Sequence, residues 1–361
     1  MKKLSFFPRT LATCSLLLAI SACQKSDSSD SVVADTASDQ RILSSFVDNV
    51  VLSTYQDLAD RSAALDAAVA LLIATPNETN WQAARTAWIE TRIPWEQSEA
   101  FLFGPVDTFG FDPALDSWPL DHSGLNAAIA AYAKINVDTV DPSLKGFHAI
   151  EFILFGYERA KTLESLTSNE KSYLRALTQN HQEVTSRIVT AWKLGLNGQS
   201  PFADALKTAG ASTNDLYPNS QAALEEMLEG MVGIADEVAN NKIAQPFDQQ
   251  DPNLVESQFS FNSLDDFQNN VKSIRYVWHG NRTGTATEDS LSRRVQATDS
   301  ALNKKVEDAI DDALATLKAI PDPFRTSILD SNSRPSIVAA QEALRALLEL
   351  LDVEVRSALA L

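Results

Sequence analysis

The stretch Lys145-Gly146-Phe147-His148-Ala149-Ile150-Glu151-Phe152-Ile153-Leu154-Phe155-Gly156 decides the fold. Upstream, Asp141-Pro142-Ser143 reads as a helix start, with Asp141 as N-cap and Pro142 at the first helical position. Gly156 reads as the stop. Between them the pattern predicts a helix of about three to four turns, apolar on nearly every face, and such a helix is buried. His148 and Glu151 stand three residues apart and share one face, flanked by Leu144 and Phe155. A buried carboxylate requires a cation or strong donors. The residues leave three partners open: His148 itself, a distant arginine, or a metal ion.

A helix of this kind needs other helices to cover it. The chain has 361 residues, is 44% hydrophobic and holds only 12 Gly. Abundant Ala and Leu with short β-branched runs favour an all-α protein, and the length favours two domains. Helical spacing recurs over 41–74, 78–103 (with Pro94 inside it), 125–135 and 169–196. It returns over 220–240, 263–278, 288–320 and 336–359. The Pro-, Gly- and Asp-rich stretch 106–120 reads as a loop. Asn197-Gly198-Gln199-Ser200-Pro201 marks a boundary. The expectation is therefore two helical bundles, 41–198 and 199–361.

The N-terminus reads as a targeting segment. Lys2, Lys3 and Arg9 precede an apolar run, Leu11 to Ile20, too short to span a bilayer. Ile20-Ser21-Ala22-Cys23 has the form of a bacterial lipobox, which predicts a signal peptide over 1–22, lipidation at Cys23, and location in the cell envelope, with Gln24 compatible with the outer membrane. The Ser- and Asp-rich residues 23–40 read as a flexible tether. Losing the three basic residues would take the net charge from −18 to ~−21, which disfavours nucleic acid as a partner. Cys14 and Cys23 are the two cysteines, so a site in the mature chain uses oxygen and imidazole ligands.

Glu96-Gln97-Ser98-Glu99-Ala100-Phe101-Leu102-Phe103-Gly104 echoes His148 to Gly156. In each, a ligand-type residue stands three before a Glu that precedes Leu-Phe-Gly at equal spacing. Paired helices carrying ligands at i and i+3 are a metal-binding arrangement of helical bundles, usually ordered Glu-x-x-His. We therefore expect Glu96 and Glu99 to face His148 and Glu151. Arg92 lies four residues before Glu96, which suits an intrahelical ion pair or the orientation of a ligand carboxylate. Trp88 and Trp95 read as core. His122, just after Trp118-Pro119-Leu120-Asp121, approaches the site on its loop. His181 reads as solvated and His279 as a helix-end partner. Ser263 with Asp266 reads as an N-terminal capping signature. The chain has no Gly-x-Ser-x-Gly, no phosphate-binding loop and no His-Glu-x-x-His.

The Gly146-x-His148-x-x-Glu151 motif, the run from Trp95 to Pro105, and Trp118-Pro119-Leu120-Asp121 resemble the imelysin family of exported bacterial proteins. Glu256-Ser257-Gln258-Phe259-Ser260, Asn262-Ser263 and Asp266-Phe267 resemble a further block of that family. The resemblance runs from about residue 41 to the C-terminus. It implies two helical bundles, a site near the His-x-x-Glu motif at their interface, association with iron regulation or uptake, and a peptidase label. It raises Asp121, Ser263 and Asp266 as binding or supporting residues beside Arg92. The reading that follows is a lipid-anchored protein holding a divalent metal, iron or zinc, on His148, Glu151, Glu96 and Glu99, serving envelope iron-uptake proteins. Two alternatives stand beside it: a zinc metallopeptidase with one of these carboxylates as general base, and an envelope scaffold that binds another protein.

Overall fold

The computed structural model describes residues 36–132 and 136–361. The expected signal peptide, the expected lipidation site at Cys23 and most of the expected tether lie outside the described residues. Helix α1 (Thr36–Phe46) begins within the segment expected to be tether. Its first turn is held down by Asp39, which is fully buried, pairs with Arg294 and accepts from Ser220 Oγ at 2.8 Å. Through a π-turn at Val47–Val51 it continues into α2 (Leu52–Ala74). Asn77 caps α3 (Glu78–Glu96), which contains Pro94, and a 3-10 turn at Glu99–Phe101 follows.

The expected loop over 106–120 instead contains α4 (Pro105–Thr108) and α5 (Phe111–Asp116). Each is preceded by a glycine with positive φ, Gly104 and Gly110, and helices this short leave no period to read. Next come α6 (His122–Ala130), α7 (Gly146–Phe155), α8 (Ser168–Lys193) and α9 (Phe202–Lys207). Asp141 and Pro142 serve a separate 3-10 turn, and α7 starts at Gly146 after an extended Lys145. Gly156 ends α7 as expected, with φ +65°.

In the second half α10 (Ser220–Asp236) runs through a π-turn, Glu237–Ile243, into α11 (Ala244–Gln249). Then follow α12 (Ser263–His279), α13 (Leu291–Thr298), α14 (Ser300–Lys318), α15 (Phe324–Ser327), α16 (Arg334–Glu349) and, after a third π-turn, α17 (Arg356–Leu359). The pattern over 288–320 is two helices because Asp299 leaves helical geometry and caps α14 through Leu302 N at 2.9 Å. No strand occurs among the described residues.

The helices form two bundles. In the first, α2 packs against α3 and α8, and α7 against α3 and α8. In the second, α14 packs against α12 and α16, and α10 against the same two. The bundles join where α12 crosses α3, and where the 3-10 turn after α3 enters between α10 and α12. Gly230 of α10 permits this approach, since a Cβ there would stand 2.1 Å from the Ala100 carbonyl oxygen. All of α7 except Phe152 is buried, as its apolar surface requires.

Candidate metal centre at the bundle junction

The start of α7 explains the first residue of its motif. A Cβ on Gly146 would meet the Leu115 carbonyl oxygen at 2.2 Å, so only glycine lets α7 abut the end of α5. That contact puts Asp116, the last residue of α5, beside His148. Asp116 Oδ1 lies 3.1 Å from His148 Nε2, and Asp116 Oδ2 accepts from Trp95 Nε1 at 2.6 Å.

Arg92 occupies the middle of the junction and is fully buried. Its guanidinium pairs with Glu96 one turn along α3, meets Asp116 at 2.5 Å and Glu256 at 3.0 Å, and lies 3.6 Å from Asp266. The Phe147 ring covers it, with the guanidinium carbon 4.8 Å from the ring centre. Glu256 precedes α12 and Asp266 belongs to it, so both arrive from the second bundle. Glu96 also accepts from Asn270 Nδ2 at 2.5 Å, which binds the end of α3 to α12.

Glu151 is tied differently. Its Oε1 accepts from Phe259 N at 3.0 Å and from both Ser260 N and Ser260 Oγ at 2.7 Å, while Oε2 lies 3.2 Å from His148 Nδ1. Both oxygens are engaged, one across the junction and one on the imidazole, so Glu151 fixes the ring of His148.

A second cation, Lys242, comes from the π-turn after α10. Its ammonium lies 3.2 Å from Glu256, 3.7 Å from Glu96 and 3.8 Å from Glu99. Six carboxylates (Glu96, Glu99, Asp116, Glu151, Glu256 and Asp266) thus share one junction with two permanent cations, Arg92 and Lys242. The excess shows in the proton affinities. Burial drives Glu96 up to about 8 against the pull of Arg92 and Lys242, and Asp266 up to about 6. Glu99 rises for the same reason. Asp112, at the edge of the cluster, rises to about 6 through burial and the nearby Asp116. Although burial works upward on Asp116, Arg92 and His148 hold it well below the usual carboxylate range. Burial lowers His148, yet the carboxylates of Asp116 and Glu151 carry it up to about 10.

Two groups of donors stand close enough to hold a metal ion: Asp116, His148 and Glu256, and Glu96, Glu99 and Asp116. Within each group the donor atoms lie within 4.8 Å of one another. In the first, His148 Nε2 faces Asp116 Oδ1 at 3.1 Å and Glu256 Oε2 faces the Lys242 ammonium at 3.2 Å, so an ion bound there would replace these contacts. Carboxylates with one imidazole form a donor set suited to a first-row divalent ion. The residues fit such an ion.

The structure therefore gathers His148, Glu151, Glu96, Glu99, Arg92 and Asp266 at one place. It keeps Asp121 apart: that residue is exposed and caps α6 through Gly124 N at 2.9 Å. Ser263 is the first residue of α12, behind Asn262, and donates to the Glu256 carbonyl oxygen. Asp266 accepts from Asn262 Nδ2 at 2.7 Å and faces Arg92, so the expected capping signature gives way to the junction network. His122 packs among Phe152, Tyr157 and Phe259, with ring centres 5.1 to 5.4 Å away. His181 is buried, not solvated, and meets Ser62 Oγ at 2.7 Å. His279 ends α12 and pairs with Glu307 at 2.8 Å. Asp116, Glu256 and Lys242 were missed as site residues by reasoning from the sequence. Asp116 stands two residues before Trp118-Pro119, and Glu256 opens the block that runs to Ser260; those two neighbourhoods were the available signal.

The profile of the imelysin family matches residues 51–351. Iron-regulated protein A of Synechococcus elongatus is 34% identical over 310 residues, covering 86% of this chain and 84% of the relative. The crystal structure of an iron-regulated protein A precursor from Parabacteroides distasonis is similar with a TM-score of 0.83 and 32% identity, over 90% of this chain and 95% of that one. An imelysin-like protein from Psychrobacter arcticum shares the fold with a TM-score of 0.73 at 14% identity, over 90% and 96% of the two chains. With its all-α bundles, its Gly-x-His-x-x-Glu helix and a match over most of its length, the chain belongs to the imelysin family.

Proposed function

We propose that the protein binds a divalent metal ion at the bundle junction and serves iron acquisition or an iron-regulated task in the cell envelope. The observation that carries this reading is the convergence of Asp116, His148 and Glu256, from three separate segments, with donor atoms within 4.8 Å of one another. In the first donor group Asp116, His148 and Glu256 would be the ligands. Glu151 would orient His148, as carboxylates beside metal-binding imidazoles do. Arg92 would hold Asp116, Glu96 and Glu256 in register. A bound ion would supply positive charge and Lewis acidity at this position.

The name of the Synechococcus relative, iron-regulated protein A, supports the link to iron. The lipobox Ile20 to Cys23 supports export and anchoring through a lipid on Cys23, with the folded chain facing other envelope iron-uptake proteins. The test is metal analysis of the purified chain after incubation with iron(II) under anaerobic conditions and with zinc(II), beside His148→Ala. Hydrolysis of an unfolded protein is assayed in parallel. The reading expects an ion in the native chain and its loss in the variant. Metal retained by His148→Ala defeats the ligand assignment, and metal-dependent cleavage that disappears in the variant would establish a peptidase instead. Mass analysis of the membrane-extracted protein tests the lipid on Cys23.

A further inference from the structure

Glu226, Gly230 and Gly233 of α10, with Glu237 just beyond it, share one helical face and line an open groove of about 430 Å³. Gly230 is taken up by the contact with Ala100. Gly233 is not: a Cβ there would meet nothing within 4 Å, so no neighbour in the chain requires a glycine. Glycine inside a helix lowers its stability, and here it leaves the helix backbone open to close approach from outside. Leu102, Phe103 and Ile234 give the groove apolar lining, and Glu99 and Glu229 add to its acidic side chains. Glu99 is the most deeply set, its side chain 7% exposed against 47% for Glu237 and 56% for Glu229. Among the described residues its carboxylate accepts no hydrogen bond. The Lys242 ammonium, 3.8 Å from it, stands nearer to Glu256 at 3.2 Å. The other three are engaged: Glu226 accepts from Tyr217, Glu229 meets Arg356 at 2.6 Å, and Glu237 lies 3.7 Å from Lys242. Arg356 is shared with Glu225 and Asp352, so the rim keeps an excess of negative charge.

We propose that this groove docks a basic segment of a protein partner, with the stem of a lysine or arginine over Leu102, Phe103 and Gly233 and its cationic head on Glu99. Long cationic side chains bury their methylene stems on apolar surface while the charged end reaches a polar group, which is the lining found here. The head supplies the hydrogen bonds that the Glu99 carboxylate lacks, and such charge-assisted bonds are the strong kind. A metal ion fits less well, because the four glutamates do not converge as the donor groups of the junction do. A groove open to solvent admits a stretch of chain, and the net charge of −18 draws cationic partners towards the surface. Asp116, His148 and Glu256 do not line the groove, so the inference stands apart from the metal-binding reading.

The experiment follows a fluorescein-labelled hexapeptide of alternating lysine and leucine by fluorescence anisotropy, titrated with the full chain at about 0.15 M ionic strength. The same peptide with acetylated lysines is the control for the ammonium groups. The variants are Glu99→Gln, Gly233→Phe, whose ring would fill the groove, and Glu164→Gln, an exposed glutamate outside it. The native chain is expected to bind the lysine peptide and not the acetylated one. Glu99→Gln and Gly233→Phe should each weaken binding by about tenfold, with Glu164→Gln unchanged. Absence of binding by the native chain, or equal binding of the acetylated peptide, overturns the inference. So does an equal loss in Glu99→Gln and Glu164→Gln, which marks diffuse attraction to an acidic surface. Full binding by a folded Gly233→Phe also overturns it. Should Glu99→Gln fail to fold by circular dichroism, Gly233→Phe decides, because the space around that position is open.

Discussion

Glu151 and Ser260, one in each bundle, are joined by two hydrogen bonds of 2.7 Å that end on a single carboxylate oxygen. With Phe259 N at 3.0 Å, that oxygen accepts three donors from the second bundle, while its partner oxygen holds His148. Hydrogen bonds to an ionised acceptor are the strong kind, and removing the acceptor leaves buried N–H groups unpaired. Glu151→Ala is therefore expected to destabilise the protein by about 3–5 kcal/mol, and Ser260→Ala by about 1–2 kcal/mol. Because the two share their bonds, their double-mutant cycle should show coupling of about 0.5–3 kcal/mol. Urea unfolding checks this, and additive effects would show that the bonds do not hold the bundles together.

Arg92 faces four buried carboxylates from four segments. Arg92→Met keeps much of the volume but leaves the anions facing one another, and should lower stability by about 3–5 kcal/mol. Arg92→Lys keeps the charge without the fork, so it cannot reach Glu96, Asp116 and Glu256 together. We expect it to recover less than half of the loss. Thermal denaturation of the two variants beside the native chain measures the difference. Equal stability of Arg92→Lys and the native protein would reduce the role of Arg92 to charge alone.

What the sequence made legible was local. Apolar spacing predicted a buried α7 in an all-α chain, and the four-residue spacing of Arg92 and Glu96 suited their ion pair. Asp116 was hidden because α5 is one and a half turns long in a Pro-, Gly- and Asp-rich segment, where periodicity has no room to appear. Lys242 was hidden because helical spacing continues through a π-turn, and the altered direction of its side chain is set by packing. Glu256 meets Arg92 across more than 160 residues of chain, a pairing no window along the sequence contains. Asp266 carried a local signal for capping, but in the structure it faces the buried guanidinium of Arg92 instead. Glu96 and Glu99 of the echo fall in a different donor group from His148, and Asp116 is common to both.

Two glycines on α10 should respond to the same substitution with opposite signs. Alanine favours a helix over glycine by roughly 0.5–1 kcal/mol where there is room for the methyl group. At Gly233 a Cβ would meet nothing within 4 Å, so Gly233→Ala should stabilise by about that amount. At Gly230 a Cβ would stand 2.1 Å from the Ala100 carbonyl oxygen, a backbone atom that cannot rotate away. Gly230→Ala must push α10 from the 3-10 turn and should destabilise by about 1–3 kcal/mol. Chemical denaturation of both variants tests the junction directly, and a stabilising Gly230→Ala would contradict the close approach.

His181 gives the protein a predicted sensitivity to acid. Its ring is buried against Phe147, with centroids 4.3 Å apart, and Nδ1 lies 2.7 Å from Ser62 Oγ. Burial pushes its proton affinity down to about 3; the charge of Asp116 pulls upward and that of Arg92 downward. The folded state therefore refuses a proton that the unfolded chain accepts near its ordinary value of about 6.5. Stability from this residue is complete above that value and declines as pH falls towards 3, by up to about 1.4 kcal/mol per pH unit. Other groups titrate in the same range, so the diagnostic quantity is the difference between the native protein and His181→Asn, which retains a polar partner for Ser62. The native protein should lose stability relative to the variant as pH falls from 6.5 to 4.5. A difference that stays constant with pH would show that the folded protein accommodates a charged imidazole at this position.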